Sequence, residues 1–144
     1  MSLYKKTEAM LYNYNKTKSE IKNIDLDLKL LKSEIDGVGA IVYEEKTAPT
    51  NKFNSSVENE VIAREHRIKK LEQIKLIKEV EIEKIDNTLS NLTEREYSII
   101  SRRYFNKEKN RYIAAKLDLT EEYICELKAG IINNIIKTLF LNKV

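Results

Sequence analysis

The sequence predicts an all-α protein: a long N-terminal helical hairpin or coiled coil followed by a small C-terminal helix-turn-helix domain. Three observations carry that expectation. Of 144 residues only three are Gly and one is Pro, too few for the many tight turns of a sandwich or barrel. Apolar residues recur in alternating four- and three-residue steps over two long segments, which is the heptad pattern of packed helices. Past Leu92 the long periods give way to short ones, each opened by a capping signal.

Residues 3–35 contain no Gly or Pro and read as one helix. Its seam runs through Leu3, Thr7, Met10, Tyr14, Thr17, Ile21, Ile24, Leu28, Leu31 and Ile35. At 1.5 Å per residue such a helix is about 50 Å long, a coiled-coil length. Asp36-Gly37-Val38-Gly39 stops it and opens a connector over 36–56, which holds Pro49 and an apolar run, Ala40-Ile41-Val42-Tyr43, suited to a short extended patch. A second long helix is expected from Ser56 as N-cap, with Glu58 and Glu60 in its first turn. Val57, Val61, Ile68, Leu71, Ile82, Ile85, Leu89 and Leu92 form its stripe. Lys75 and Lys78 fall on the strict register, so Ile74 and Ile77 are expected to take over and the seam to drift. The two helices pair either within one chain or between two. Residues 1–91 thus make one module and 92–144 a second.

In the second module Thr93-Glu94-Arg95-Glu96 has the form of a capping box. It opens a helix over 94–104 that ends near Phe105-Asn106-Lys107. Further helices start near Asn110 and near Thr120, the last running toward Leu141, with Gly130 weakening it or admitting a close backbone. Residues 110–127 have helix-turn-helix spacing. Ile113, Leu117, Leu119, Ile124 and Leu127 supply the apolar contacts, Ala114 the close approach, and Thr120 a cap. Asp118 occupies the turn position usually held by Gly and tolerates the left-handed conformation better than most residues. An αα-hairpin without a nucleic-acid role satisfies the same hydrophobic logic.

Composition excludes several functions. One Cys and one His leave no disulfide framework and no Cys/His metal cluster. No apolar run reaches the length of a membrane span, and the start Met1-Ser2-Leu3-Tyr4-Lys5-Lys6 has no signal-peptide core, so a cytoplasmic protein is expected. No paired carboxylates, phosphate cradle or nucleophile–base pair suggests an enzyme, and no cofactor is implied. His66 among Arg64, Glu65 and Arg67 reads as a surface residue. Cys125 reads as a small helix residue without a neighbouring base.

The net charge of +3 points toward a partner. Residues 1–92 carry sixteen Lys/Arg and sixteen Asp/Glu, whereas residues 93–144 carry ten and seven. The whole excess therefore lies in the segment with helix-turn-helix spacing, a mild indication of an anionic partner.

Leu92-Thr93-Glu94-Arg95-Glu96, Ile99-Ile100, Arg103-Tyr104-Phe105, Tyr112-Ile113-Ala114, Leu117-Asp118-Leu119-Thr120 and Ile124 resemble the region-4 module of sigma-70-type factors. The whole chain resembles phage-borne late transcriptional regulators of the ArpU/RinA type, through Tyr4, Thr7, Glu8, Leu11 and Tyr14 and through Val57-Glu58 and Arg64-Glu65. The resemblance implies binding of promoter DNA and activation of late genes in phage or prophage of Gram-positive bacteria. RNA polymerase contact or homodimerisation then falls to the N-terminal helices.

A recognition helix starting at Thr120 turns Thr120, Glu121, Glu122, Cys125, Glu126 and Ala129 outward, toward the major groove. Glu121 and Glu122 suit the positive end of the helix dipole, and a glutamate can accept from cytosine N4. Three carboxylates nonetheless fit a polyanion poorly, and this departs from the basic and amide side chains usual in sigma-like modules. The expected phosphate contacts are therefore Lys107, Lys109, Arg111, Lys116 and Lys128, with Lys137, Arg102 and Arg103 nearby. Thr120, Glu121, Glu122 and Glu126 face the groove. A helical scaffold or adaptor whose C-terminal domain binds protein is the alternative reading.

Overall fold

The computed structural model describes residues 1–34 and 51–143, and every element among them is helical. The expected connector motifs Asp36-Gly37-Val38-Gly39 and Ala40-Ile41-Val42-Tyr43, and the seam residue Ile35, lie outside the described residues. In order, the helices are α1 (Leu3–Tyr12), α2 (Tyr14–Ser33), α3 (Asn51–Leu89), α4 (Glu94–Ile100), α5 (Asn110–Leu117) and α6 (Glu121–Leu139). A π-helical stretch, Ser101–Phe105, continues α4, and a short 3-10 turn covers Leu141–Lys143. Among the described residues no helix is long and apolar enough to cross a membrane.

The chain divides into two compact units: residues 1–18 with 80–144, and residues 19–79. The division thus falls away from the expected boundary between 91 and 92. The reason is α1, which packs against α6 and the π-helical stretch instead of belonging wholly to a separate coil. Leu11, Ile85 and Leu89 join Ile99, Ile100, Tyr104, Ile113, Ile124, Ile131, Ile132, Ile135 and Leu139 in one core. Both threonines of the first seam are buried, Thr7 fully and Thr17 nearly so. Thr7 Oγ1 donates to the Leu3 carbonyl at 2.8 Å, which satisfies its hydroxyl within its own helix.

The first helix is two, with a break at Asn13 (φ −93°, ψ 7°). Lys107 Nζ donates to the Tyr12 carbonyl beside the break, and a side chain entering the backbone ladder is a recognised cause of a kink. Tyr104 Oη donates to Glu8 Oε1 at 2.6 Å, and Lys128 Nζ lies 3.7 Å from the same oxygen. Burial first, and then the bond to Glu8, push the Tyr104 hydroxyl far above its ordinary pKa.

In residues 19–79, α2 and α3 pair antiparallel within one chain. Glu20 meets Lys78, Asp25 meets Lys75, Lys32 meets Glu72 and Glu34 meets Arg64, so the partner's number falls as the first one climbs. Ile24, Leu28 and Leu31 are buried along this seam. The expected drift of the second seam occurs only in part: Ile74 is half-buried beside it, but Ile77 is not drawn in. Ile77 is 64% exposed, while Lys75 and Lys78 stay on register and reach Asp25 and Glu20 at 2.5 Å each. Long aliphatic stems let a lysine cover a seam while its ammonium finds a carboxylate at the edge.

The second long helix also starts earlier than Ser56 suggested, at Asn51. Ser56 therefore sits inside the helix, because a residue able to cap does not force a start where upstream residues can also be helical. Gly130 has open space where a Cβ would project. It marks no close backbone approach and acts only by its low helix propensity.

Candidate nucleic-acid interface

The turn between α5 and α6 forms as its residues require. Asp118 ends α5 in the left-handed conformation (φ 54°, ψ 42°), and its N–H donates to the Ala114 carbonyl. The Leu119 N–H donates to that same carbonyl at 2.9 Å, so the two bonds close the end of the helix. Thr120 is extended, and its Oγ1 accepts from the Tyr123 N–H at 3.1 Å. That cap starts α6 at Glu121. Ile113 and Ile124 are fully buried and Ala114 nearly so. A small residue where the two helices approach permits a close crossing.

Thr120, Glu121, Glu122, Cys125 and Glu126 are exposed on the outward side of α6, and Ala129 is half-buried. Asn110 Nδ2 donates to Cys125 Sγ at 3.2 Å, which places the start of α5 beside the second turn of α6. Lys109 and Arg111 flank Asn110 in sequence, and both are exposed. Among the described residues Lys109 forms no ion pair or hydrogen bond through its side chain. Arg111 lies along its neighbour, with its guanidinium 5.0 Å from the Tyr112 ring centre and Nη2 donating to Tyr112 Oη at 3.2 Å.

The other three expected phosphate contacts are engaged elsewhere. Lys107, itself in a left-handed conformation (φ 60°), binds the Tyr12 and Tyr104 carbonyls and sits 3.1 Å over the Tyr12 ring centre. Lys116 donates to Glu108 Oε1 at 2.8 Å, and Arg102 lies 3.6 Å from the other carboxylate oxygen. The bond from Lys116 leads in holding the Glu108 carboxyl below the usual carboxylate range. The Lys128 side chain is 16% exposed and turned toward Glu8. Of the nine predicted contact residues, the structure groups Lys109, Arg111, Thr120, Glu121, Glu122 and Glu126 around the open face of α5 and α6. It ties Lys107, Lys116 and Lys128 into internal contacts.

Sequence reasoning passed over Arg95 and Tyr123. The Arg95 guanidinium lies 5.7 Å from the Tyr123 ring centre, bringing a cation from α4 to the first turn of α6. Tyr123 is 41% exposed. In the sequence Arg95 is merely the third residue of a capping box, and helical period alone does not say which neighbour that position meets.

Chemically, the face combines a capped helix start with cations on α4 and at the start of α5 and an acidic centre. Arg95, Lys109 and Arg111 are able to neutralise phosphates, and the glutamates repel them. No protein-family model, curated protein or solved structure matches the chain.

Proposed function

We propose that the protein is a DNA-binding transcription regulator that presents the start of α6 to the major groove of promoter DNA. The observation that carries this reading is the Thr120-capped helix behind the left-handed turn at Asp118, open over its first two turns. In the same proposal the hairpin of α2 and α3 serves homodimerisation or contact with RNA polymerase, and the genes served are late genes of a phage or prophage. Phosphate contacts fall to Arg95, Lys109 and Arg111, with Glu121, Glu122 or Glu126 selecting cytosine through its N4 amine.

Few free cations mean modest affinity. Each phosphate neutralised on duplex DNA contributes about −0.9 to the slope of log K against log salt, so three cations give roughly −3 per chain. A salt titration on promoter fragments of the source genome measures this slope. Arg111→Glu should weaken binding and flatten the slope, while Lys116→Ala, whose ammonium serves Glu108, should leave the slope unchanged. Absence of binding to every fragment at about 50 mM salt, a condition that favours phosphate contacts, would refute the proposal. The acidic centre of the face favours a second reading, a scaffold or adaptor whose C-terminal unit docks a basic protein surface. That reading predicts the same absence of DNA binding.

A further inference from the structure

Away from the helix-turn-helix, the unit formed by residues 1–18 and 80–144 contains an open-sided cavity of about 390 Å³. Its lining includes three aromatic rings, Tyr14, Tyr97 and Phe105, and two carboxylates, Asp86 and Glu94. Tyr14 and Phe105 are stacked, with ring centres 4.5 Å apart and planes 24° from parallel. Tyr14 Oη donates to Asp86 Oδ1 at 2.5 Å, which fixes the ring and the carboxylate relative to each other. Tyr97 is 46% exposed and stands as the loose third wall.

Charge is the informative part. Among the described residues neither Asp86 nor Glu94 forms an ion pair, and the lining contains no Lys, Arg or His. Rings whose faces are negative, beside unpaired carboxylates, make a receptor for an organic cation. The chain supplies a small precedent, because Lys18 Nζ lies 5.2 Å from the centre of the Tyr14 ring. Phosphate is excluded by the same charges, so this hollow is no extension of a DNA-binding face.

We propose that the cavity receives the guanidinium of an arginine side chain presented by a partner polypeptide. Guanidinium is planar, stacks on aromatic faces and offers a fork of donors to carboxylates, whereas an ammonium offers only a compact charge. The open side favours a side chain arriving on a backbone over a free amine, since a small ligand would leave much of its surface in water. Burial, followed by the bond to Asp86, pushes the Tyr14 hydroxyl up to about 12. It therefore keeps its proton and keeps donating to Asp86 through the neutral range.

The test uses the full chain and three probes followed by amide chemical-shift changes. These are an acetylated, amidated Gly-Arg-Gly peptide, the same peptide with uncharged citrulline, and agmatine as a free guanidinium. The arginine peptide should saturate signals from residues 86–105, with the citrulline peptide weaker by about tenfold or more, as loss of a cation–π contact and its charge implies. Agmatine should bind more weakly than the peptide. Tyr97→Ala should weaken the peptide about fivefold and Tyr97→Phe should restore it, since the ring face does the binding. Asp86→Asn keeps an acceptor for Tyr14 while removing the charge, and it too should lose affinity. Lack of saturable binding, equal binding of the citrulline peptide, or agmatine as strong as the peptide would each overturn the proposal. Outcomes here are independent of the DNA titration, because no residue is shared between the two tests.

Discussion

At the scale of single residues, a buried hydrogen bond joins Tyr104 to Glu8, 96 positions apart in sequence. Tyr104 is 3% exposed, so its hydroxyl has no water to fall back on. Tyr104→Phe should cost about 2 kcal/mol, the usual range for a hydrogen bond to a charged group. The pH dependence follows from the raised pKa of the native hydroxyl. An unfolded tyrosine loses its proton near about pH 10, while native Tyr104 retains it, so the unfolded state binds fewer protons above that pH. Stability from this residue is therefore complete below about pH 10 and declines as pH rises further. Denaturant melts at several alkaline pH values should show a steeper decline in the wild type than in Tyr104→Phe. Identical slopes would show that Tyr104 does not titrate as argued. The two left-handed residues show how far sequence reading reaches at this scale. Asp118 was legible because a turn of fixed spacing demanded such a residue there. Lys107 was not, because its conformation is held by carbonyls on Tyr12 and Tyr104, and no local signal announces them.

At the scale of elements, the caps at Thr93 and Thr120 and the starts of α4, α5 and α6 were legible because each depends on residues within one turn. The capping box is complete, with Glu96 N–H donating to Thr93 Oγ1 at 3.2 Å and Thr93 N–H to Glu96 Oε1 at 3.0 Å. The break at Asn13 and the π-helical stretch were not legible, since both accommodate contacts made over long separations. At the end of that stretch the Asn106 N–H reaches back five residues to the Ser101 carbonyl at 3.0 Å, and Phe105, its last residue, stacks on Tyr14. The hairpin of α2 and α3 teaches a different lesson about lysines on an apolar register. Ion pairs this open to solvent contribute about 0–1 kcal/mol each, yet four of them in descending order favour one antiparallel alignment. The same hairpin leaves Leu26, Leu30, Leu76 and Ile77 each more than half exposed. If the proposed homodimer forms through these side chains, sedimentation at rising concentration should show monomer passing to dimer. Leu76→Glu with Ile77→Glu should then shift it back to monomer. A strict monomer at all concentrations would exclude that arrangement.

At the scale of the whole molecule, α5 and α6 are not a self-sufficient C-terminal piece. Leu11 of α1 is 1% exposed inside the core that also holds Ile113 and Ile124. Leu11→Ala should therefore destabilise the unit bearing α6 by about 2–5 kcal/mol, the range for emptying such a site. Leu26→Ala, at a side chain 63% exposed, should change stability by less than about 0.5 kcal/mol. Thermal melts followed by circular dichroism compare the two, and equal effects would mean that α1 is not integral to that core. This dependence was hidden from sequence reading because a heptad seam specifies an apolar face without naming the helix that will cover it. It also has a meaning for the order of events on the ribosome. Leu11 is made roughly 130 residues before Leu139, so at a synthesis rate of about 5–20 residues per second its helix waits on the order of ten seconds for its neighbours. Throughout that interval an amphipathic stretch is held open beside the exit tunnel. The nascent chain, more than the finished protein, is therefore the form with the greatest need of a chaperone.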